Sequence, residues 1–217
     1  MSSPSGQLVD LTLPLQPGMR GVDIAPARTL KADGWNASTL TLYSHCGTHM
    51  DAPLHFGVNE QTIDEVPPQR MISEAWVVPL TNLLPGALIK VADMSAIATR
   101  IQPGQSVLLR TDWSKQLGQP SYRDGLPRIS RELAHWLGEK EVNMLGVEPP
   151  SVANVNDLPE VTDIHHILMR NDIIIVEGLT NLDLLTEEKV TLMAFPLKVK
   201  GGDGAPARVM AIQHTTG

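Results

Sequence analysis

The stretch His45-Cys46-Gly47-Thr48-His49-Met50-Asp51-Ala52-Pro53-Leu54-His55-Phe56 places three histidines and an aspartate within eleven residues. The whole chain has seven histidines, so this density marks a site rather than background. Imidazole nitrogen and carboxylate oxygen are the donors that a catalytic Zn²⁺, Mn²⁺ or Fe²⁺ prefers, and the mixture suits a hydrolytic centre. His45 and His49 stand at i, i+4, as on one face of a zinc-protease helix, but there a glutamate lies between them in a good helix former. Gly47, Thr48 and Pro53 oppose a helix, and the preceding Ser38-Thr39-Leu40-Thr41-Leu42-Tyr43 alternates as a strand does. The motif is therefore expected at the end of a strand and in the loop that follows. The competing reading is a set of solvated loop histidines without a partner, although polar His clusters beside an acid seldom occur without a site.

A metal centre usually draws ligands from more than one segment, and the second candidate set lies between Asp163 and Glu177. Residues 158–170 read as a helix, with Thr162 or Asp163 near its first turns and Asn171-Asp172 ending it. Ile173-Ile174-Ile175-Val176 is a continuous β-branched run, the signature of a strand buried on both faces. Glu177 follows at the carboxyl end of that strand, where open α/β sheets tend to hold ligands. A strand-terminal salt bridge is the alternative role for this acid.

Elsewhere, strand-like runs cover 39–43, 75–80, 87–91, 106–111, 142–147, 192–199 and 208–213, and helix candidates cover 94–100 and 130–140. Ser130 is a natural N-cap, Glu132 favours the first turn, and Leu133, Trp136 and Leu137 recur on one face. Short Pro-Gly turns separate these runs, and no repeat or low-complexity tract interrupts them. The order of elements indicates an α/β fold with a mixed sheet and few helices, in one domain spanning 1–217.

Taken together, these residues resemble the cyclase-family metal-dependent hydrolases, a group that includes bacterial kynurenine formamidases and isatin hydrolases. Every specified position of the family signature, His-x-Gly-Thr-His-x-Asp-x-Pro-x-His, is matched from His45 to His55. His165 with Glu177 twelve residues on matches a later His and Glu, and a Pro-Leu-Lys strand leads into Gly201-Gly202-Asp203-Gly204-Ala205-Pro206-Ala207-Arg208. The resemblance covers almost the whole chain. It implies the swivelling β/β/α architecture and one or two divalent ions per chain, Zn or Mn. It also implies that His45, His49 and Asp51 hold one ion, that Asp51, His165 and Glu177 hold a second, and that Asp51 bridges. His55 would then be the catalytic, non-ligand histidine, with His166 a neighbour distinguished from His165 only by its spacing to Glu177. A homodimer or homotetramer is implied by the same resemblance.

Composition narrows the function classes. With 217 residues, 42% of them hydrophobic, the chain can bury one sizeable core. A net charge of −7, with 17 basic and 24 acidic residues, gives no footprint for nucleic acid. No run approaches the ~18 apolar residues of a membrane span. Met1-Ser2-Ser3-Pro4-Ser5-Gly6 lacks the regions of a signal peptide, so the cytoplasm is the expected compartment. The single cysteine, Cys46, excludes an intrachain disulfide and reads as a small buried side chain rather than a thiolate ligand.

The expected activity is metal-dependent hydrolysis of a carbon–nitrogen bond in a small amide, as in an arylformamide. Ring-opening of a cyclic amide or lactone uses the same steps, and a catalytically silent metal-binding protein is the alternative from another class. An amide nitrogen leaves poorly unless protonated, and His55 has the intrinsic pKa to supply that proton, or else to orient a metal-bound group. Trp35, Phe56 and Trp113 are the candidate aromatic residues for a small-molecule substrate, Trp113 with core packing as its competing role. Kynurenine formamidases usually carry a tryptophan in a Trp-Pro-Gly segment near the N-terminus; here the segment reads Leu15-Gln16-Pro17-Gly18-Met19. Arg208 is expected to hold an adjacent strand rather than a carboxylate.

Overall fold

A strand packed on both faces must bury side chains of both parities, and the chain meets this with short apolar runs rather than polar–apolar alternation. The computed structural model describes residues 6–214. In chain order its strands are β1 (Gln7–Asp10), β2 (Val22–Arg28), β3 (Ala37–Leu42), β4 (His49–Asp51), β5 (Ile72–Pro79), β6 (Leu88–Ile89), β7 (Ser106–Arg110), β8 (Arg128–Ile129), β9 (Met144–Val147), β10 (Ile174–Glu177), β11 (Lys189–Pro196) and β12 (Gly204–Gln213). Four α-helices accompany them among the described residues: α1 (Leu30–Asp33), α2 (Ser121–Asp124), α3 (Arg131–Glu139) and α4 (Leu158–Arg170).

Eight strands form one mixed sheet in the order β1-β12-β11-β5-β7-β9-β10-β4, and a further pairing of β4 with β12 closes it into a barrel. Strands β5, β7, β9 and β10 run parallel to one another, and the remaining pairings of this sheet are antiparallel. Parity then divides two cores. Leu108, Met144, Ile174 and Val176 point into the barrel with Met50, Leu192 and Val209. Val107, Leu109, Leu145, Val147 and Ile175 point outward against Leu133 and Leu137 of α3 and Ile164 and Leu168 of α4. The β-branched run before Glu177 is therefore buried on both sides. Arg208 holds β1 to β12 through Asp10, its Nε and Nη2 donating to the two carboxylate oxygens at 3.1 and 2.8 Å.

Several elements differ from expectation for identifiable reasons. Ser130 does cap α3, accepting from the Leu133 N–H at 3.1 Å. Helix α4 spans 158–170 as expected, with Thr162 and Asp163 in its early turns, and Asp157 caps it by accepting from the Glu160 N–H. Residues 94–100 form successive turns instead of a helix, with Ile97 and Arg100 bonding three residues back, and Pro103-Gly104 follows closely. The strand that carries the motif lies one element later than the alternation of 38–43 indicates. Among the described residues β3 pairs only with β2, in a separate two-stranded ribbon, whereas His49–Asp51 is itself a strand, β4, between β10 and β12. Three buried residues are too few to show a period.

A candidate metal centre at the barrel seam

The strand β4 closes the barrel, and its register sets the site. His49 lies directly across from Glu177 of β10 and from Pro206 of β12, while Asp51 faces Gly204. Cross-strand neighbours share a face, so the pairing brings His49 and Glu177 together without a long side-chain reach. The loop before β4 is clamped by the motif threonine. Thr48 Oγ1 donates to the Gly178 carbonyl at 2.5 Å and accepts from the Leu13 N–H at 2.8 Å. Gly178 has φ +69°, and a Cβ there would lie 2.4 Å from the Gly47 carbonyl oxygen, so only glycine lets the turn after Glu177 meet this loop. Gly204 is constrained differently: a Cβ would lie 2.6 Å from His45 Cε1 and 2.7 Å from the Met50 carbonyl oxygen.

His49, Asp51, His165 and Glu177 are all buried. His49 Nε2 stands 3.2 Å from Glu177 Oε2 and 3.6 Å from Asp51 Oδ1. His165 Nε2 stands 3.5 Å from Glu177 Oε1 and 3.6 Å from Asp51 Oδ2. His45 Nδ1 lies 2.8 Å from Asp51 Oδ1. The ligand atoms of His45, His49 and Asp51 fall within 4.8 Å of one another, as do those of Asp51, His165 and Glu177. His165 and not His166 faces the carboxylates, since His166 Nε2 donates to the Phe56 carbonyl at 2.9 Å.

Tautomers follow from the partners on the other ring nitrogens. His49 Nδ1 donates to the Gly47 carbonyl at 3.0 Å and His165 Nδ1 to the Val161 carbonyl at 2.6 Å. Each Nε2 is thereby turned toward the carboxylates, the arrangement by which outer partners orient metal-ligating histidines. Two buried carboxylates need positive charge beside them. Without an ion it comes from the imidazoles. Burial alone would lower their pKa values, but the Glu177 hydrogen bonds and the charges of Asp51 and Glu177 raise those of His49 and His165. His45 is pushed up to about 9, burial being outweighed by its contacts with Asp51 and Asp203. Burial would raise the Asp51 carboxyl, yet the three histidines hold it well below the carboxylate range.

One atom shows that this network is incomplete. Asp51 Oδ2 is buried and has no hydrogen-bond partner. A buried acceptor left unsatisfied costs about 1–3 kcal/mol, and more when it is charged. A cation among these five side chains would satisfy it, so the donor set fits a divalent ion.

The other expected residues occupy three kinds of place. His55 is on a 3₁₀ turn, Pro53–Phe56, its ring stacked on His45 with centroids 3.7 Å apart. Its pKa is lowered, by burial first and by the neighbouring His45 and His165 charges, against the opposing pull of Asp51 and Glu177. Phe56 stacks on His165 at 4.2 Å and meets His55 edge-on. Trp113 is buried, its indole N–H donating to the Tyr122 carbonyl at 2.9 Å, which is the core-packing role. Trp35 is 59% exposed between α1 and β3.

Two features escaped the sequence reading. Asp203 Oδ2 lies 3.0 Å from His45 Nε2 and 3.5 Å from His55 Nδ1, tying the two stacked rings to one carboxylate. Its signal was the aspartate set between Gly202 and Gly204. The second is a cavity of about 540 Å³ lined by His45, Cys46 and Gly47, by the 16–20 loop, and by Tyr122 and Arg123. The Gln16-Pro17-Gly18 segment is part of its wall.

Residues 9–154 match the Cyclase family model. A kynurenine formamidase from Salinibacter ruber is 30% identical over 187 residues, covering 81% of this chain and 79% of the relative. Isatin hydrolase A from Ralstonia solanacearum superposes with a TM-score of 0.85 at 27% identity, covering 95% of this chain and 91% of that one. A protein described as a predicted metal-dependent hydrolase from Bacillus stearothermophilus superposes with a TM-score of 0.76 at 25% identity, covering 95% and 98%. With the match extending through the His45–His55 motif and the barrel shared along nearly its full length, the chain belongs to the Cyclase family.

Proposed function

We propose that the protein is a metal-dependent hydrolase that cleaves the carbon–nitrogen bond of a small amide, with His45, His49, Asp51, His165 and Glu177 holding one or two divalent ions. The observation that carries this reading is the unpartnered, buried Asp51 Oδ2 among four further ligand groups. Both a formamidase and an isatin hydrolase among the relatives act on such bonds, which supports the class. A divalent ion such as Zn²⁺ or Mn²⁺ held by these residues would lower the pKa of water toward neutrality and polarise a carbonyl oxygen.

The chain's own residues supply the rest. Asp51, with one oxygen toward each triad, is placed to serve both groups. His55 is the most exposed of the four clustered histidines, at 24% of its side chain, and its lowered pKa keeps it neutral and able to accept a proton. Asp203 faces His55 Nδ1, which leaves Nε2 as the atom that takes a proton from the attacking water and delivers it to the departing nitrogen. Phe56 covers His165 and limits water at that side of the centre.

The structural likeness to isatin hydrolase A favours a second reading, ring-opening of a cyclic amide or lactone. A panel of N-formylkynurenine, isatin, cyclic imides and small lactones, assayed with Zn²⁺ and Mn²⁺ separately and compared by kcat/KM, distinguishes the two. Metal content measured on the same samples tests the centre itself. Metal-loaded protein that opens none of these bonds would sink the proposal and leave the silent metal-binding reading.

A further inference from the structure

The cavity beside His45 has an uneven charge for this chain. Acidic residues outnumber basic ones by 24 to 17 overall, yet no aspartate or glutamate lines this cavity, and its two permanently charged side chains are Arg20 and Arg123. The remaining wall is largely apolar or aromatic, with Leu13, Met19, Leu117, Val155, Tyr43 and Tyr122. The two guanidiniums are not equivalent. Arg123 Nη1 donates to Asp124 at 2.8 Å and to Asn156 at 2.9 Å, so much of its charge is already answered. Arg20 is exposed and has no ion pair or hydrogen bond among the described residues.

We infer that this cavity binds the substrate of the proposed hydrolase as an organic anion, a ring-sized molecule whose carboxylate is anchored by Arg20. The inference rests on the hydrolase reading only in calling the ligand a substrate. An arginine without a partner presents a rigid fork matched to a carboxylate, and the absence of any acid in the lining leaves its field unopposed. The volume lies in the ordinary range for small-molecule sites, roughly 300–1,000 Å³. His45 lines the same cavity, so a molecule anchored there lies beside the centre. Arg123, already paired with Asp124, contributes a second, weaker field.

The test uses full-length, metal-loaded protein and two probes of the same shape without a hydrolysable bond, benzoate and acetophenone, titrated by calorimetry at low salt. Arg20→Gln is expected to weaken benzoate about tenfold, the effect of one charge-assisted hydrogen bond, and to leave acetophenone within about twofold. Arg20→Lys should recover part of the loss. Any carboxylate affinity due to the metal itself is common to both proteins and drops out of the comparison. In kinetics, the same variant should raise KM for 2-formamidobenzoate about tenfold with kcat little changed, and should leave formanilide unaffected. Benzoate binding that is absent, or unchanged by Arg20→Gln, overturns the anion site. Arg20-dependent benzoate binding in a protein that hydrolyses neither formamide upholds the site and removes the hydrolase reading instead.

Discussion

Replacing Thr48 by valine keeps the shape of the side chain and removes one oxygen, which makes it a clean probe of how the candidate metal centre is built. Thr48 is 2% exposed. Its hydroxyl accepts from the Leu13 N–H at 2.8 Å and donates to the Gly178 carbonyl at 2.5 Å, so it joins the N-terminal segment, the motif loop and the turn after Glu177. A buried N–H left without a partner costs about 1–3 kcal/mol, and the lost bond to the carbonyl adds about 1 kcal/mol. The expected destabilisation is therefore about 2–4 kcal/mol. For a chain of this size each kcal/mol moves Tm by about 2–4 °C, so the midpoint should fall by about 5–15 °C. Urea unfolding followed by circular dichroism, with the metal held at fixed free concentration, measures the free energy directly. Thr48→Ser, which keeps the oxygen, should stay within about 1 kcal/mol of the parent. A Thr48→Val protein within about 0.5 kcal/mol of the parent would refute the clamp, and would mean that the threonine serves something other than the geometry of Glu177.

Asp51→Ala should lose bound metal and turnover together, because its two oxygens face both triads, whereas Glu177→Ala should empty mainly one group; a full metal complement in Asp51→Ala, read by elemental analysis, defeats the bridging role. His55→Ala should retain its metal and lose about 10²–10⁴ in kcat, the usual weight of acid–base catalysis, and a metal-free product would make His55 a ligand. Removing metal with a chelator should lower stability, with about 2.7 kcal/mol regained when free ion reaches a hundred times Kd; an unchanged melting curve on adding Zn²⁺ and Mn²⁺ argues against a site that binds only the folded state. Asp10 is held below its ordinary pKa of 3.8, burial being outweighed by hydrogen bonds from Thr12 and Arg208. A depressed carboxyl stabilises the fold above its unfolded value and loses that contribution as pH falls through the folded one. Asp10→Asn should thus cost little, as surface pairs do, with the difference from the parent present at pH 6 and shrinking below pH 3.8. A deficit that grows on acidification contradicts the sign.

Chemistry was legible in the order of residues because the His45–His55 motif packs four donor groups into eleven positions, and no periodic element explains so dense a polar run. The β-branched residues before Glu177 and the capped stretches of α3 and α4 were legible for a related reason: burial on both faces and helix termination act through near neighbours in the chain. What the local signal could not contain was closure. β4 is a strand only because β10 and β12 hydrogen-bond its two edges, and those partners lie more than 120 residues further along the chain. The same closure turns His165 and not His166 toward the carboxylates, brings Asp203 against His45 and His55, and leaves Arg20 facing a cavity with no acid to meet it. Each of these depends on which distant segments share a barrel seam. Pairing across such distances is decided by the summed burial and hydrogen bonding of the whole sheet, so it becomes visible only in the tertiary structure.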